Sequence, residues 1–335
     1  MKSWLSIACT NESWSTLIEV VVDGLWREGE HNLAVRLVTP DGDPLPAWQP
    51  GAHIDLHLAN GVTRQYSLTG SHRRLERYLI CVARAAESRG GSRYIHETLR
   101  PGQRLMISLP RNQFALQTAR HVTLLAAGIG ITPLYSMARA LAAQGKPFTL
   151  QYYLNRRENG ALVAAIARKL APENVRIYSS AEGESPRENL PGRLSVPHRE
   201  DRLYLCGPAG FMAAVRQAAA IQGWQAEQIH EEAFQASMPA NDVRQEETFT
   251  VTLASSGQCW PVAANQTIAQ VLQENGVAVP LSCEMGICGA CLTRVVEGEV
   301  DHRDTVQSAA EKCAIVQHVA LCCSRSRSTN LLIDL

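Results

Sequence analysis

The sequence has no excess of charge of either sign. Its 335 residues include 32 Lys and Arg and 32 Asp and Glu, so the formal net charge at pH 7 is 0. Proteins that bind nucleic acid or anionic membranes through long-range electrostatics carry a basic excess. The balance of charge therefore argues against both kinds of partner, nucleic acid and membrane.

The sequence also lacks a long apolar run. A transmembrane helix needs about 20 consecutive apolar residues, and no segment of the chain has them. The opening residues, MKSWLSIACTNESW, carry one Lys and a short apolar stretch that ends before Thr10, which is too little for a secretory signal. We expect a cytoplasmic protein with no membrane segment.

Disorder and a disulfide scaffold are disfavoured as well. Apolar residues make up 45% of the chain and charged residues 19%, which is enough apolar material for two or three domains with buried cores. Six of the 10 cysteines follow residue 280. In a reducing compartment such clustering indicates a metal site.

Four stretches of the sequence differ in pattern. Residues 1–118 contain short alternating segments separated by turn residues, which predict an antiparallel β-barrel. Residues 119–236 alternate apolar strands with helical segments and predict an α/β nucleotide-binding domain with a parallel sheet. Residues 237–247 are polar and predict a linker. Residues 248–335 open with a predicted hairpin and a helix, continue into a loop dense in Cys and Gly, and carry a net charge of −3.

The densest motif is CEMGICGAC at 283–291. Three cysteines of this motif and one further along the chain have the CxxxxCxxC…C spacing of a plant-type [2Fe–2S] cluster: Cys283, Cys288, Cys291 and Cys322. Four thiolates must converge on two irons from a tight loop. Gly286 and Gly289 let backbone amides approach the sulfurs without a Cβ atom in the way.

A zinc site is the main alternative for these cysteines, because four thiolates also hold zinc tetrahedrally. Zinc ligands, however, usually come in paired CxxC knuckles. The fourth ligand is open between the adjacent residues Cys322 and Cys323. The other thiols are interpreted as ordinary buried or surface cysteines: Cys9, Cys81, Cys259 and Cys313.

A second motif, AAGIGITP at 126–133, follows an apolar strand and opens a helix. Gly128 and Gly130 permit a sharp turn, and the helix that follows presents unpaired amides to which a pyrophosphate can bind. A short GxG is weak evidence alone, since it also occurs in plain strand-to-helix connections.

A further loop, formed by Cys206, Gly207 and Pro208, is expected along the same carboxyl edge of the sheet. The two loops together favour a nicotinamide dinucleotide. Cys206 is either a small buried residue or a direct contact for the nicotinamide.

Two groups of residues stand out in the predicted barrel: Arg64, Tyr66, Ser67 and Leu68 in RQYSL, and Gly90, Gly91 and Ser92 in SRGGS. An aromatic residue and an Arg that alternate on a strand can cover a flavin ring and hold its negative charge. A GGS turn before a helix can hold a terminal phosphate. Each group taken alone is more typical of structure than of function.

These motifs occur in an order that resembles the phthalate dioxygenase reductase family, a branch of the ferredoxin–NADP reductase superfamily. The order is RQYSL, SRGGS, AAGIGITP, LCGPAGFM, HEEAF, CEMGICGAC, DHRD and CCSR, over nearly the whole chain. The resemblance implies an antiparallel β-barrel that binds FMN, an α/β domain that binds NADH and a C-terminal β-grasp [2Fe–2S] ferredoxin domain. It also implies a Rieske-type oxygenase as the electron acceptor.

The resemblance further implies roles for individual residues. Flavin contacts would come from Arg64, Tyr66 and Ser67, with Leu68 beside them, and phosphate contacts from Gly90, Gly91 and Ser92. The dinucleotide site would be lined by Gly128, Gly130, Ile131, Thr132 and Pro133, and its nicotinamide side by Cys206, Gly207 and Pro208. Phe234 resembles the aromatic residue near the isoalloxazine. The cluster ligands would be Cys283, Cys288, Cys291 and Cys322, because the family places the fourth ligand three residues before an Arg, here Arg325.

The choice between related cofactors is less direct. The short GGS turn, without an evident adenine platform, favours FMN over FAD. Asn155, Arg156 and Arg157 follow the second strand of the α/β domain, where an acidic residue would select the ribose hydroxyl of NADH. No acid stands there, and two arginines suit the 2′-phosphate of NADPH, but the resemblance favours NADH.

These motifs together predict a reductase in which NADH gives a hydride to FMN and single electrons then pass to the cluster. Cys206 and Phe234 are expected beside the reacting rings. His230, Glu231 and Glu232 either tune the flavin or form an exposed strand end. The DHRD residues, 301–304, are expected to brace the cluster loop through ion pairs, with a direct role in docking as the alternative.

We expect a monomer whose partner, a terminal oxygenase, docks near the acidic ferredoxin domain with a salt-dependent rate. The same chemistry serving a haem protein is an alternative. A non-enzymatic zinc or redox-sensing protein is another.

Overall fold

The computed structural model describes residues 17–86, 88, 90–186, 190, 192, 194–234 and 248–335. The chain forms two compact units that divide between Phe234 and Gln235. The predicted linker, 237–247, and Cys9 lie outside the described residues. The predicted boundary at residue 118 falls inside the first unit and stays a prediction.

The first unit begins with a six-stranded antiparallel sheet. Its strands are β1 (Leu17–Arg27), β2 (Asn32–Val38), β3 (His53–His57), β4 (Thr63–Ser67), β5 (Tyr78–Ala83) and β6 (Arg104–Ser108), in the order β4-β3-β6-β1-β2-β5, with helix α1 (Gly91–Glu97) between β5 and β6. The Thr69 amide, just beyond β4, donates to the Leu79 carbonyl on β5 at 2.8 Å. This bond joins the two edges of the sheet, so it curls as a barrel, around a core that includes Ile54, Ile80 and Ile107.

A five-stranded parallel sheet follows in the same unit. Its elements are β7 (Val122–Ala127), α2 (Ile131–Ala143), β8 (Phe148–Leu154), α3 (Val163–Lys169), β9 (Val175–Ser179), β10 (Arg202–Cys206), α4 (Ala209–Ile221) and β11 (Ile229–Glu232), with strand order β11-β10-β7-β8-β9. All six residues of β7, VTLLAA, are buried. An uninterrupted apolar run is the pattern of a central parallel strand covered on both faces.

The second unit is a mixed sheet with a packed helix. Its elements are β12 (Phe249–Leu253), β13 (Cys259–Val262), α5 (Ile268–Glu274), β14 (Leu292–Glu297), β15 (Val300–Asp301), α6 (Ala309–Lys312), β16 (His318–Ala320), β17 (Arg325–Ser326) and β18 (Asn330–Ile333). The main sheet has the order β13-β12-β18-β14-β16, and β15 pairs with β17. β12 and β13 form the predicted hairpin, whereas β12 and β18 run parallel.

Helix α5 shows how local sequence fixes an element in this unit. Thr267 and Gln270 form a capping box, in which the Thr267 hydroxyl accepts from the Gln270 amide at 3.1 Å and the Gln270 side chain accepts from the Thr267 amide at 2.9 Å. The buried face of the helix, which includes Ile268 and Leu272, packs into the core of the unit. In the part of the chain that the structure describes, no helix has both the length and the apolar character needed to cross a bilayer.

Candidate functional site

The four predicted cluster ligands lie together and are buried. Cys283, Cys288, Cys291 and Cys322 are each between 1% and 7% exposed. Thiol hydrogen bonds join Cys283 to Cys288 and to Cys322, and Cys291 to Cys322. The loop before β14 supplies three of these residues, and the fourth follows β16, which pairs with β14. This strand pairing is what brings Cys322 to the loop.

Backbone amides in the same loop point at the sulfurs. The Met285 amide donates to Cys283 Sγ at 3.3 Å, and the Ala290 amide donates to Cys288 Sγ at 3.5 Å. Gly286 has a φ of 70°, in the left-handed region that favours glycine. Buried thiols supplied with N–H donors are the surroundings that tune iron–sulfur clusters. The residues present therefore fit a [2Fe–2S] cluster.

Cys323 faces a different part of the loop from Cys322. A Cβ atom added at Gly286 would overlap the Cys323 sulfur and would lie 3.0 Å from the Asp304 Cα atom. The Cys323 thiol donates to the Ala320 carbonyl at 3.9 Å and also interacts with the Cys322 thiol. Its sulfur is thus packed against the loop backbone.

The Asp304 side chain is buried next to the cluster loop. The Asp304 side chain is 0% exposed. It accepts hydrogen bonds from the Gln307 amide at 3.0 Å and from the Gln307 side chain at 3.2 Å. The Thr305 amide donates to the Gly286 carbonyl at 2.9 Å. The segment after β15 is therefore tied directly to the turn between the first two cysteines.

An ion pair expected within DHRD is present, since Arg303 contacts Asp301 at 2.9 Å. His302 Nδ1 lies 3.6 Å from Asp304 Oδ1. The Arg303 amide also donates to the Ser324 hydroxyl at 3.1 Å. These contacts connect the motif to the segment that carries Cys322.

The two predicted dinucleotide loops meet at one point of the parallel sheet. β7 and β10 are hydrogen-bonded neighbours. The chain continues from β7 to β8 and β9 on one side of β7, and then returns to β10 and β11 on its other side. Open α/β sheets bind ligands at such a switch point, beyond the carboxyl ends of the strands. A Cβ atom added at Gly130 would overlap the Cys206 carbonyl and would lie 2.8 Å from the Gly207 nitrogen. Gly130 is therefore required for the close approach of the two loops.

The side chains that follow Gly130 pack into the protein. Ile131 and Thr132 are 0% and 2% exposed, and Pro133 is also buried in the first turn of α2. The Thr132 hydroxyl donates to the Ile129 carbonyl at 3.0 Å. Contacts from this segment to a ligand would accordingly come from its backbone. Pro208 directly precedes α4.

A half-buried glutamate lies beside Cys206. Cys206 is 0% exposed, and burial raises the pKa of its thiol. Glu232 on β11 is its cross-strand neighbour. The Glu232 Oε2 atom is buried without a hydrogen-bond partner among the described residues, and burial raises the pKa of this carboxyl to about 8. At neutral pH it is mostly un-ionised and can hold a proton beside the thiol.

The prediction that residues 230–232 form an exposed strand end is thus only partly correct. Glu231 is exposed and pairs with Arg216 at 2.7 Å, whereas the Glu232 carboxyl points inwards. Phe234 is partly buried and packs against the core of the parallel-sheet region.

The two motifs of the barrel also meet. A Cβ atom added at Gly91, the first residue of α1, would lie 2.6 Å from Cγ of Arg64 on β4. The side-chain amide of Asn60 donates to the Gly90 carbonyl at 3.4 Å. The strand that carries RQYS and the turn that carries GGS therefore form one continuous surface. No sequence signal pointed to Asn60.

The remaining barrel residues differ in exposure. The Tyr66 ring packs against the barrel core, and burial raises the pKa of its hydroxyl. Ser67 is 6% exposed, and Leu68 is 0% exposed within the core. The Ser92 hydroxyl donates to the Ser88 hydroxyl at 3.0 Å. Leu68 thus contributes packing through its side chain.

Two acidic residues lie beside Arg157, although residues 155–157 themselves include no acid. Arg157 contacts Glu182 at 3.0 Å and Glu184 at 3.2 Å. Both acids follow β9, which pairs in parallel with β8. The signal that could have found them is the acidic SAEGE segment at the end of the next strand.

Comparisons with known proteins agree with this arrangement. Residues 251–327 match the 2Fe-2S iron-sulfur cluster binding domain family. Over 320 residues the chain is 40% identical to a vanillate O-demethylase oxidoreductase of Pseudomonas sp. (strain HR199 / DSM 7063). The aligned region covers 95% of this chain and 100% of that protein.

Two solved structures resemble the chain over most of its length. One is phthalate dioxygenase reductase, described as a modular structure for electron transfer from pyridine nucleotides to [2Fe–2S], with a TM-score of 0.74 and 33% identity over 95% of this chain and 98% of that chain. The other is an intact type IV self-sufficient cytochrome P450 monooxygenase, with a TM-score of 0.80 and 36% identity over 96% of this chain. The match spans 41% of the P450 chain.

Proposed function

Because the chain belongs to the phthalate dioxygenase reductase family, we propose that it is an NADH-dependent oxidoreductase. It would pass electrons from NADH through FMN and a [2Fe–2S] cluster to a Rieske-type terminal oxygenase. The observation that carries the proposal is the convergence of each group of motifs. The barrel motifs share one surface, the dinucleotide loops share one switch point and the four cysteines share one buried pocket.

The chain holds the reacting groups and keeps them in place. When bound, a flavin takes two electrons from a nicotinamide and passes single electrons to an iron–sulfur cluster. Gly130 and Gly207 would let the dinucleotide approach the backbone at the switch point. Cys206 and Phe234 would border the reacting rings, and Glu232 would hold a proton next to Cys206.

We assign the flavin to the barrel surface around Arg64. Its guanidinium would balance negative charge on the flavin, Tyr66 would cover the ring, and the backbone of Gly90 and Gly91 would receive the phosphate. The turn is short, which supports FMN over FAD. Extraction of the flavin and its separation by chromatography distinguishes the two, because FAD carries the additional AMP moiety.

We assign Cys322 as the fourth cluster ligand. Its thiol hydrogen-bonds to Cys283 and Cys291 of the loop, whereas the Cys323 sulfur packs against Gly286. The four thiolates would hold a [2Fe–2S] cluster, which would supply single-electron transfer at this site.

Two kinds of electron acceptor remain to be separated. The relationship to a vanillate O-demethylase oxidoreductase and to phthalate dioxygenase reductase favours a Rieske oxygenase. The similarity to part of a self-sufficient cytochrome P450 supports a haem acceptor as the second candidate. In both cases the acidic region 248–335, with its charge of −3, would guide a transient partner.

The first experiment is an anaerobic absorbance titration of the purified protein with NADH, after iron, sulfide, zinc and flavin have been measured. Bleaching of flavin and cluster bands together at about 1.5 NADH per protein is expected, because the flavin takes two electrons and the cluster one. A colourless protein with stoichiometric zinc would instead establish the zinc alternative. A reconstituted protein that NADH does not reduce would refute the proposed function.

The partner is tested by the rate at which the reduced protein reduces a Rieske oxygenase or a P450 at low and high salt. We expect faster reduction of the Rieske protein, with a rate that falls as salt screens the guiding charges. Equal rates at all salt concentrations would exclude electrostatic guidance.

A further inference from the structure

The chain segments after β8 and β9 are held together by hydrogen bonds. The Ala181 amide donates to the Asn155 carbonyl at 2.9 Å, and the Ser179 hydroxyl donates to the same carbonyl at 3.2 Å. These bonds fix the segment that contains Arg156 and Arg157 against the segment that contains Glu182 and Glu184. The positions of the four charges therefore depend on each other.

Arg157 is engaged by both acids of the neighbouring segment. Its Nε atom lies 3.0 Å from a Glu182 oxygen, and its Nη2 atom lies 3.2 Å from Glu184 Oε2. The same Glu184 oxygen accepts from the Ser179 amide at 3.1 Å. The second arginine, Arg156, lies 3.7 Å from Glu158. The two arginines thus stand among three carboxylates, and the net charge of the group is negative.

This group lies where the adenosine end of a dinucleotide would reach. β8 is the neighbour of β7, which carries the glycine turn, and β9 is next in the sheet. In doubly wound sheets the ribose lies over the end of the strand after the glycine turn, where an acid accepts from its 2′-hydroxyl. NADPH carries a doubly charged phosphate at the position of that hydroxyl.

We propose that Glu182 and Glu184 make the protein selective for NADH by occupying Arg157 and by placing negative charge where the 2′-phosphate of NADPH would bind. The inference rests on the proposed function, in which the switch point binds a nicotinamide dinucleotide. The two acids that we assign to cofactor selection follow β9, the third strand of this sheet in chain order.

The ion pairs contribute little to the fold, which makes them suitable for mutation. The side chains of Arg157, Glu182 and Glu184 are 44%, 52% and 37% exposed. Exposed ion pairs stabilise proteins by about 0–1 kcal/mol. The double variant E182Q/E184Q should therefore fold, because glutamine keeps the size and hydrogen-bonding capacity of glutamate.

The test is calorimetric titration of the oxidised holoprotein with NAD⁺ and with NADP⁺, which differ only in the 2′-phosphate. Stopped-flow reduction of the flavin by NADH and by NADPH gives a second measure of the same preference. The wild type should prefer NAD⁺ and NADH. In E182Q/E184Q the preference should shift towards the phosphorylated form by about tenfold or more, because two repulsive charges are removed and Arg157 is released. Adding R157Q should reduce the shift, because the arginine released by the double variant is then absent, while the part that comes from the lost repulsion remains.

The matched control is E173Q, which removes a negative charge from the turn before β9, at the opposite end of that strand. It should leave the preference unchanged. A wild type that prefers NADPH, or a double variant with the wild-type preference, overturns the inference. A wild type that neither nucleotide reduces overturns the proposed function instead, so the two failures are distinguishable.

Discussion

Gly130 and Cys206 approach each other backbone to backbone at the switch point of the parallel sheet. They lie on different loops, and a Cβ atom at Gly130 would overlap the Cys206 carbonyl. The absence of a side chain at Gly130 therefore sets the distance between the two loops proposed to hold the dinucleotide.

Replacement of Gly130 by alanine should separate these loops. G130A is expected to destabilise the first unit by about 1–3 kcal/mol, because an extra methyl group enters a packed contact. NAD⁺ affinity should fall by about tenfold or more, since positioning within an ångström matters for binding and hydride transfer. Calorimetry with NAD⁺ measures the loss. Gly145 provides the control, because its Cβ position is open and its φ of 62° adds only backbone strain. Equal NAD⁺ affinities in G130A and G145A would contradict the assigned role.

The adjacent cysteines Cys322 and Cys323 should respond differently to serine substitution. C322S is expected to lose the iron and sulfide of the cluster, because a buried ligand is removed. C323S should keep the wild-type iron content, since its sulfur packs against Gly286. Iron analysis and electron paramagnetic resonance of the reduced proteins distinguish the two. Cluster loss confined to C323S would reverse the assignment.

Glu232 should make the first unit less stable as the pH rises. Its pKa is about 8 in the fold against a reference value of 4.5, so the folded state holds a proton that the unfolded state releases between these pH values. The free energy of unfolding from this group therefore decreases from about pH 4.5 to about pH 8 and then stays constant. Thermal unfolding of the wild type and of E232Q, followed by flavin fluorescence from about pH 5 to about pH 8.5, measures the effect.

E232Q removes the titrating group and should flatten the pH profile. The control is E231Q, because Glu231 is the exposed neighbour that pairs with Arg216. Parallel profiles for the wild type and E232Q would show that Glu232 is ionised throughout the range.

Replacement of Gly91 by alanine should reduce flavin content. The added Cβ atom would lie 2.6 Å from Arg64 Cγ, so the arginine stem must move away from the position proposed for flavin contact. Flavin released per protein, measured by fluorescence, should fall several-fold. G210A is the matched control, because Gly210 also lies in the first turn of a helix but has open space at its Cβ position. A full flavin complement in G91A would remove Arg64 from the proposed site.

Much of the architecture could be predicted from local patterns. The alternating barrel segments, the apolar run of β7 and the hairpin of β12 and β13 all form where the sequence indicates them. The order of strands within the sheet, however, is not local information, since β1 lies inside the barrel sheet between β6 and β2. The fourth cluster ligand also needs the pairing of β14 with β16, since the sequence leaves Cys322 and Cys323 side by side.

The sequence by itself determined the family, the order of the domains and the cysteine loop at 283–291, because these depend on the identity and spacing of residues along the chain. Only the tertiary structure decided the surroundings of Glu232 and Arg157. Strand pairing places Glu232 beside the buried Cys206, where burial raises the pKa of the Glu232 carboxyl. Strand pairing also places Glu182 and Glu184 beside Arg157. The burial of a side chain and the charges near it depend on residues that are distant in sequence. Parallel strands are joined by long crossovers, so the neighbours of Glu232 and Arg157 cannot be read from the local sequence.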